Sequence, residues 1–152
     1  MGDKKPRFGL RLVLHAGAML LALGLAGCGD KDPTAQLKRE IGDMQKAVEA
    51  HKPNDFLRRV TDDFTGNDGQ VDKQVLRGLL VSQLLGEDRV SVTLGPLDVH
   101  LHDADHATVK VSALVLGGRF LPERGQTLRI ESGWKREGGE WRCYTASWSE
   151  GG

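Results

Sequence analysis

The sequence predicts an α+β domain in which N-terminal helices pack on a curved antiparallel sheet. Three observations carry this. Between Asp32 and Gly86 apolar residues recur every three to four positions, the period of a helix with one buried side. From Arg89 onward the period changes to two, the period of a strand with one buried face. Short turns rich in Gly, Asp and Pro separate the alternating runs, and helices followed by strands is the order of an α+β domain. No internal repeat or low-complexity segment interrupts this order.

Ahead of the helices stands a segment of another kind. "MGDKKPRFGLR" carries Lys4, Lys5, Arg7 and Arg11 against Asp3 alone, and "LVLHAGAMLLALGLAG" is apolar except for His15. A basic start, an apolar middle and small residues at the end make the three-part pattern of a secretory signal. Leu12 to Gly27 is only 16 residues, rich in Gly and Ala. A membrane-crossing helix needs about 20 apolar residues. The signal ends in "LAGC", Leu25 to Cys28, and these four residues resemble the lipobox of bacterial lipoproteins. The resemblance implies cleavage between Gly27 and Cys28, a diacylglycerol on the Cys28 thiol and an acylated new amine. Ordinary signal cleavage fits less well, because it wants a small residue where Leu25 stands. One acyl chain holds a protein only reversibly, at about 0.8 kcal/mol per buried methylene, whereas two or three chains hold it firmly. The expected address is the cell envelope, anchored in the membrane through Cys28 and facing the periplasm. Gly29 lacks the aspartate that retains many lipoproteins in the inner membrane, which favours the outer one.

Residues 1–27 are thus expected to be signal peptide, 28–32 a lipidated N-terminus with a short tether, and 33–149 the domain. Cleavage leaves 125 residues, enough for one domain with a true core. The full chain has 21 Lys/Arg and 21 Asp/Glu; without residues 1–27 the balance is 17 against 20. That argues against a nucleic-acid partner, which would want a basic face. With Cys28 acylated, Cys143 is the remaining thiol, no intramolecular disulfide is open to it, and its place in a strand pattern suggests burial.

Asp32–Pro33 reads as an N-cap followed by proline at the first helical position, and Leu37, Ile41, Met44 and Val48 form the apolar side of the first helix. Pro53–Asn54 starts a second helix, with Phe56, Leu57, Val60 and Phe64 on its apolar side and Gly66 as its stop. A third is expected from an Asp72 cap, with Val71 and Leu76 as a hydrophobic staple and Leu76, Leu79, Leu80 and Leu84 inward. Among the strands, Val90, Val92 and Leu94 alternate. The phase slips at Gly95–Pro96, and Leu97, Val99 and Leu101 resume it. A Gly-Pro at a phase slip predicts a bulge or sharp bend. "HDADHA" turns the chain into a strand through Ala107, Val109, Val111, Ala113 and Val115. After "GGRFLPERGQ" comes Leu128 to Trp134, then the turn "REGGE" and the closing strand "WRCYTASW".

The three helices, the bent strand pair, "HDADHATVKVSALV", "DDFTGNDGQVDKQVLRGLL" and the hairpin "GWKREGGEWRCYTASW" together resemble the nuclear transport factor 2-like (SnoaL-like) superfamily, over roughly residues 34–149. The resemblance implies a cone-like fold in which a curved sheet wraps helices around a cavity. Its members include isomerases, cyclases and dehydratases as well as binding and assembly modules, so the fold does not choose a function.

Candidate chemistry is sparse. His100 and His102 share one side of a strand, a spacing that suits two imidazole ligands, with Asp103, Asp105 and His106 nearby. A polar hairpin turn accounts for the same residues, and no metal site is expected. A calcium loop in "DFTGNDGQVD" would need Phe64 and Val75 as ligands and is excluded. Asp62, Asp63, His51 and Tyr144 are raw material for acid/base work. Nothing aligns them into an activated pair, so no catalytic residue is assigned and no cofactor is called for. Trp134, Trp141, Tyr144 and Trp148 gather in the last strands; Tyr144 and Trp148 are expected on the face opposite Trp141 and Cys143. Large apolar groups on both faces of a sheet suggest a homodimer through it. The favoured reading is a binding module; a small isomerase or dehydratase using a buried Asp or His, and an assembly module, are the alternatives.

Overall fold

Asp32 stops the chain from starting its helix any earlier. Its Oδ1 accepts the Thr34 N–H at 2.9 Å and Pro33 occupies the first turn, so α1 runs Pro33–Glu49. The computed structural model that shows this describes residues 32–85, 89–117 and 125–151. The signal, cleavage and lipid-attachment readings at residues 1–31 lie outside them. α1 buries Leu37, Ile41, Met44 and Ala47, while Val48 packs against a second, smaller apolar cluster.

The second helix is shorter than its apolar spacing predicts. α2 covers only Pro53–Leu57, and Val60–Gly66 form strand β1. Val60 and Phe64 are four apart, a step that keeps one side of a helix and also one face of a strand, so spacing alone could not decide. The β-branched Val60, Thr61 and Thr65 favour the strand. Pairing settles it: β1 runs parallel to the closing strand, Val60 beside Cys143 and Thr65 beside Thr145. The sheet is therefore mixed rather than wholly antiparallel. β2 (Val71–Asp72) folds back on β1 through a turn whose Asn67, Asp68 and Gly69 all have positive φ.

α3 (Lys73–Leu84) begins at the expected cap, the Val75 N–H donating to Asp72 Oδ1 at 2.8 Å. Leu84 is buried and Leu76 packs against the core, but Leu79 stays 44% exposed instead of turning inward.

The remaining strands are β3 (Ser91–Leu94), β4 (Asp98–Leu101), β5 (His106–Leu116), β6 (Gln126–Glu137) and β7 (Glu140–Glu150). The sheet order is β2-β1-β7-β6-β5-β3, with β4 also on β5. Leu94 faces Ala113 and Asp98 faces Lys110, so four steps on one side meet three on the other. That extra residue is the bulge predicted at Gly95–Pro96, and the Gly95 N–H donates to Ser112 O across it.

A second bulge overturns one expectation. Trp134 pairs with Cys143 and Gly133 with Thr145, leaving Tyr144 as the extra residue. Beyond it the alternation of β7 is reversed, so Trp148 joins the core face instead of sharing the outer face with Tyr144. Gly133 is required there. A Cβ on it would lie 2.7 Å from Thr145 Cγ2 and 2.9 Å from Tyr144 Cζ.

The helices cover the core face of this curved, cone-like sheet. Leu37, Ile41, Met44, Val60, Phe64, Val109, Trp134, Trp141 and Cys143 form the main cluster, and Leu84, Val90, Val92 and Ala113 the second. Cross-links fix the layers. Arg59 reaches Glu40 at 2.7 Å and Asp43 at 3.1 Å on α1, and Gln45 and Glu49 bond the backbone of Val92. Among the described residues no helix is long and apolar enough to cross a membrane.

Candidate functional site

Asp62 and Asp63 lie on β1, not at a helix end, and both point to solvent. Lys73 donates to Asp62 Oδ1 and to Val60 O, each at 2.8 Å. That hydrogen bond, then the Lys73 charge, holds the Asp62 carboxyl below its ordinary range. Asp63 receives Lys135 at 3.0 Å; Lys135 also reaches Glu137 at 3.2 Å and lies 5.8 Å over the Tyr144 ring. Those carboxylates, Asp63 first, raise the Lys135 pKa. His51 lies in the turn just after α1, on the helical side of the sheet, whereas Tyr144 stands on the opposite face, so the four acid/base candidates do not form one site.

The core side is apolar. Among the described residues the buried polar ones are Thr61, on β1, and Ser132, on β6. Ser132 Oγ accepts the Trp134 indole N–H at 2.9 Å. Cys143 is buried as expected; its Sγ donates to Thr145 O at 3.2 Å, and burial pushes the thiol up to about 12. A thiol so poorly ionised is a packing group, not a nucleophile.

At the "HDADH" turn His100 and His102 do share a face, their rings edge-on with centroids 4.8 Å apart. The turn uses its own polar groups. His102 Nε2 pairs with Thr108 Oγ1 at 2.8 Å, and Asp103 accepts the Asp105 N–H at 2.7 Å and His106 Nδ1 at 3.0 Å. The Asp105 N–H and then His106 hold the Asp103 carboxyl below its ordinary range. Among the described residues no three metal-ligating side chains converge.

The concave feature that sequence reasoning missed is a groove of about 510 Å³ across the sheet, bordered by Pro96 of the first bulge. Strand register builds it on the face turned away from the helices. Lys110, Glu131 and Ser147 form one row and Ser112, Arg129 and Ser149 the next, all exposed. Lys110 pairs with Glu131 at 3.2 Å, while among the described residues the Arg129 guanidinium makes a long 3.5 Å approach to Glu150 O. In the sequence these residues look like any solvated strand face. Only the cross-strand register gathers the three serines and two cations.

No family model and no curated protein matches the sequence. Solved structures do match its fold. A protein from Novosphingobium aromaticivorans, named as a candidate scytalone dehydratase, superposes with a TM-score of 0.67 at 12% identity, covering 78% of this chain and 84% of that one. A nuclear transport factor 2-like protein of unknown function from Pseudomonas putida gives 0.64 at 18% identity over 76% and 84%. Another, from Rhodospirillum rubrum and described as of unknown function in nutrient uptake, gives 0.61 at 20% over 75% and 97%. The chain has the nuclear transport factor 2-like fold.

Proposed function

We propose that this protein is lipid-anchored in the cell envelope through Cys28, facing the periplasm, and that its nuclear transport factor 2-like domain binds a ligand or partner rather than transforming one. The "LAGC" end of the signal supports the anchor, and Gly29 favours the outer membrane. The observation that carries the binding reading is the contrast between the two sides of the sheet. An enzyme of this fold would use an acid or base in an apolar interior, where burial tunes its pKa. Here the candidate carboxylates Asp62 and Asp63 are spent on surface ion pairs, and Trp134, Trp141, Phe64 and Cys143 pack together in the interior. The groove lies outside, where Arg129 and three serine hydroxyls beside Pro96, Val111 and Ile130 can meet a carboxylate-bearing or polyhydroxylated ligand.

The assembly alternative draws on α3, where Val75 and Leu79, four residues apart, are 45% and 44% exposed. Native mass spectrometry of protein extracted from membranes separates the readings. A co-purifying small molecule lost in Arg129→Ala with the fold intact supports the groove; a co-purifying protein lost only in Leu79→Ser supports assembly. A small molecule that is chemically converted, and whose conversion stops in Asp62→Asn or Asp63→Asn, would overturn the binding reading.

A further inference from the structure

The described chain begins at one pole of the domain, and that pole is tightly defined. On α1, Gln36 Oε1 accepts from Arg136 Nη2 at 2.7 Å. The same guanidinium donates to Gly139 O and to Ala104 O, each at 3.1 Å, and stacks 4.7 Å over the Trp141 ring. The Arg136 N–H completes the set by donating to Asp105 O at 2.9 Å. One arginine therefore gathers the first turn of α1, the 102–106 turn and the 137–140 turn.

We infer that this pole is the surface the domain presents to the lipid headgroups, and that the opposite pole faces away. The inference rests on lipid attachment at Cys28. Cys28 and Asp32 are four residues apart, which spans at most about 14 Å whatever the backbone does. β5 and β6 are 11 and 12 residues long, and a strand rises about 3.3 Å per residue, so the poles lie roughly 35 Å apart. A 14 Å leash fixed at one end of a 35 Å body keeps that end nearer the bilayer.

The chemistry of the near pole describes apposition without insertion. Asp103, Asp105, Glu137 and Glu140 are set there beside Arg136 and Arg142, and all but Glu137 are exposed. The exposed Leu85, Leu114 and Leu116 belong to the far end, around Val90, Ser91 and Thr127. The groove rows at Lys110 and Ser112 sit four and six residues along β5 from His106, roughly 13 and 20 Å beyond the near pole. The groove is thereby held above the headgroups and opens to the aqueous phase.

Lipidated full-length protein carrying Glu140→Cys or Thr127→Cys, each labelled with a fluorophore, tests this in phosphatidylethanolamine/phosphatidylglycerol vesicles containing a nitroxide-headgroup lipid. Cys143 is buried and should not label, which unsubstituted protein checks. The expected result is quenching several-fold stronger at position 140 than at 127. Vesicle-bound protein quenched equally at both positions, or more at 127, overturns the orientation alone. Protein that fails to float with the vesicles overturns the anchor, and the orientation with it.

Discussion

Trp141→Ala removes the ring on which the closing hairpin, α1 and the Arg136 contact all converge. Trp141 is 2% exposed and lies in the main cluster with Leu37, Trp134 and Cys143. Truncating a buried aromatic to Ala costs about 3–5 kcal/mol through lost transfer energy and the cavity left behind. Losing the Arg136 stack adds on the order of 0.5–1 kcal/mol. One term runs the other way. The Trp141 indole Nε1 is buried without an acceptor among the described residues, and removing an unsatisfied buried donor returns about 1–3 kcal/mol. The net loss is about 3 kcal/mol, against a total stability of about 5–15 kcal/mol. For a domain of this size that lowers Tm by on the order of 10 °C or more. Trp141→Phe separates the terms, because it keeps most of the apolar volume while deleting the orphan donor, and it should cost less than half as much. Urea titration followed by circular dichroism gives both values. A Trp141→Ala protein melting within about two degrees of wild type would refute the placement of the core on this face.

Other substitutions should be quiet or should show themselves only with pH. Asp62→Asn and Asp63→Asn remove charges from ion pairs whose carboxylates are exposed, and their melts at pH 7 should stay close to wild type. The Asp62 and Asp103 carboxyls are held below their ordinary range, so the stability they contribute is present above the unfolded pKa and is lost as pH falls through the folded one. The acid limb of a stability–pH curve should therefore flatten in Asp62→Asn. Cys143 titrates the other way. Its folded pKa of about 12 lies above the ordinary thiol value of 9.0, so the unfolded chain loses the proton first and stability falls between these values. Cys143→Ala should remove roughly 1.4 kcal/mol per pH unit from the alkaline slope, and an unchanged slope would show the thiol to be solvated. His100→Ala and His102→Ala should each change stability by no more than about 0.5 kcal/mol, with no tight stoichiometric zinc or copper binding in the wild type by calorimetry.

Much of the architecture was legible because local signals agreed with tertiary ones. The Asp32 and Asp72 caps, the Gly95–Pro96 bulge and the "EGGE" turn all stand where sequence chemistry puts them. The misreadings share a cause: a periodicity argument assumes that period and phase persist. At Val60 and Phe64 a four-residue step satisfied two periods, and long-range parallel pairing with β7 chose the strand. At Tyr144 a single inserted residue inverted the phase, moving Trp148 into the core and weakening the apolar-face argument for a homodimer. The groove was invisible because its first row joins Lys110 to Glu131 and Ser147, 21 and 37 positions further on, and register is not written in any one strand.

Anchoring of a chain that begins at Cys28 is tested by the intact mass of the protein extracted from its native membrane. The predicted result is a chain starting at Cys28 and carrying a diacylglycerol with a further acyl group, while Cys28→Ser yields unacylated protein absent from the detergent phase. A wild-type chain that retains residues 1–27, or that starts at another residue without acyl mass, would contradict it.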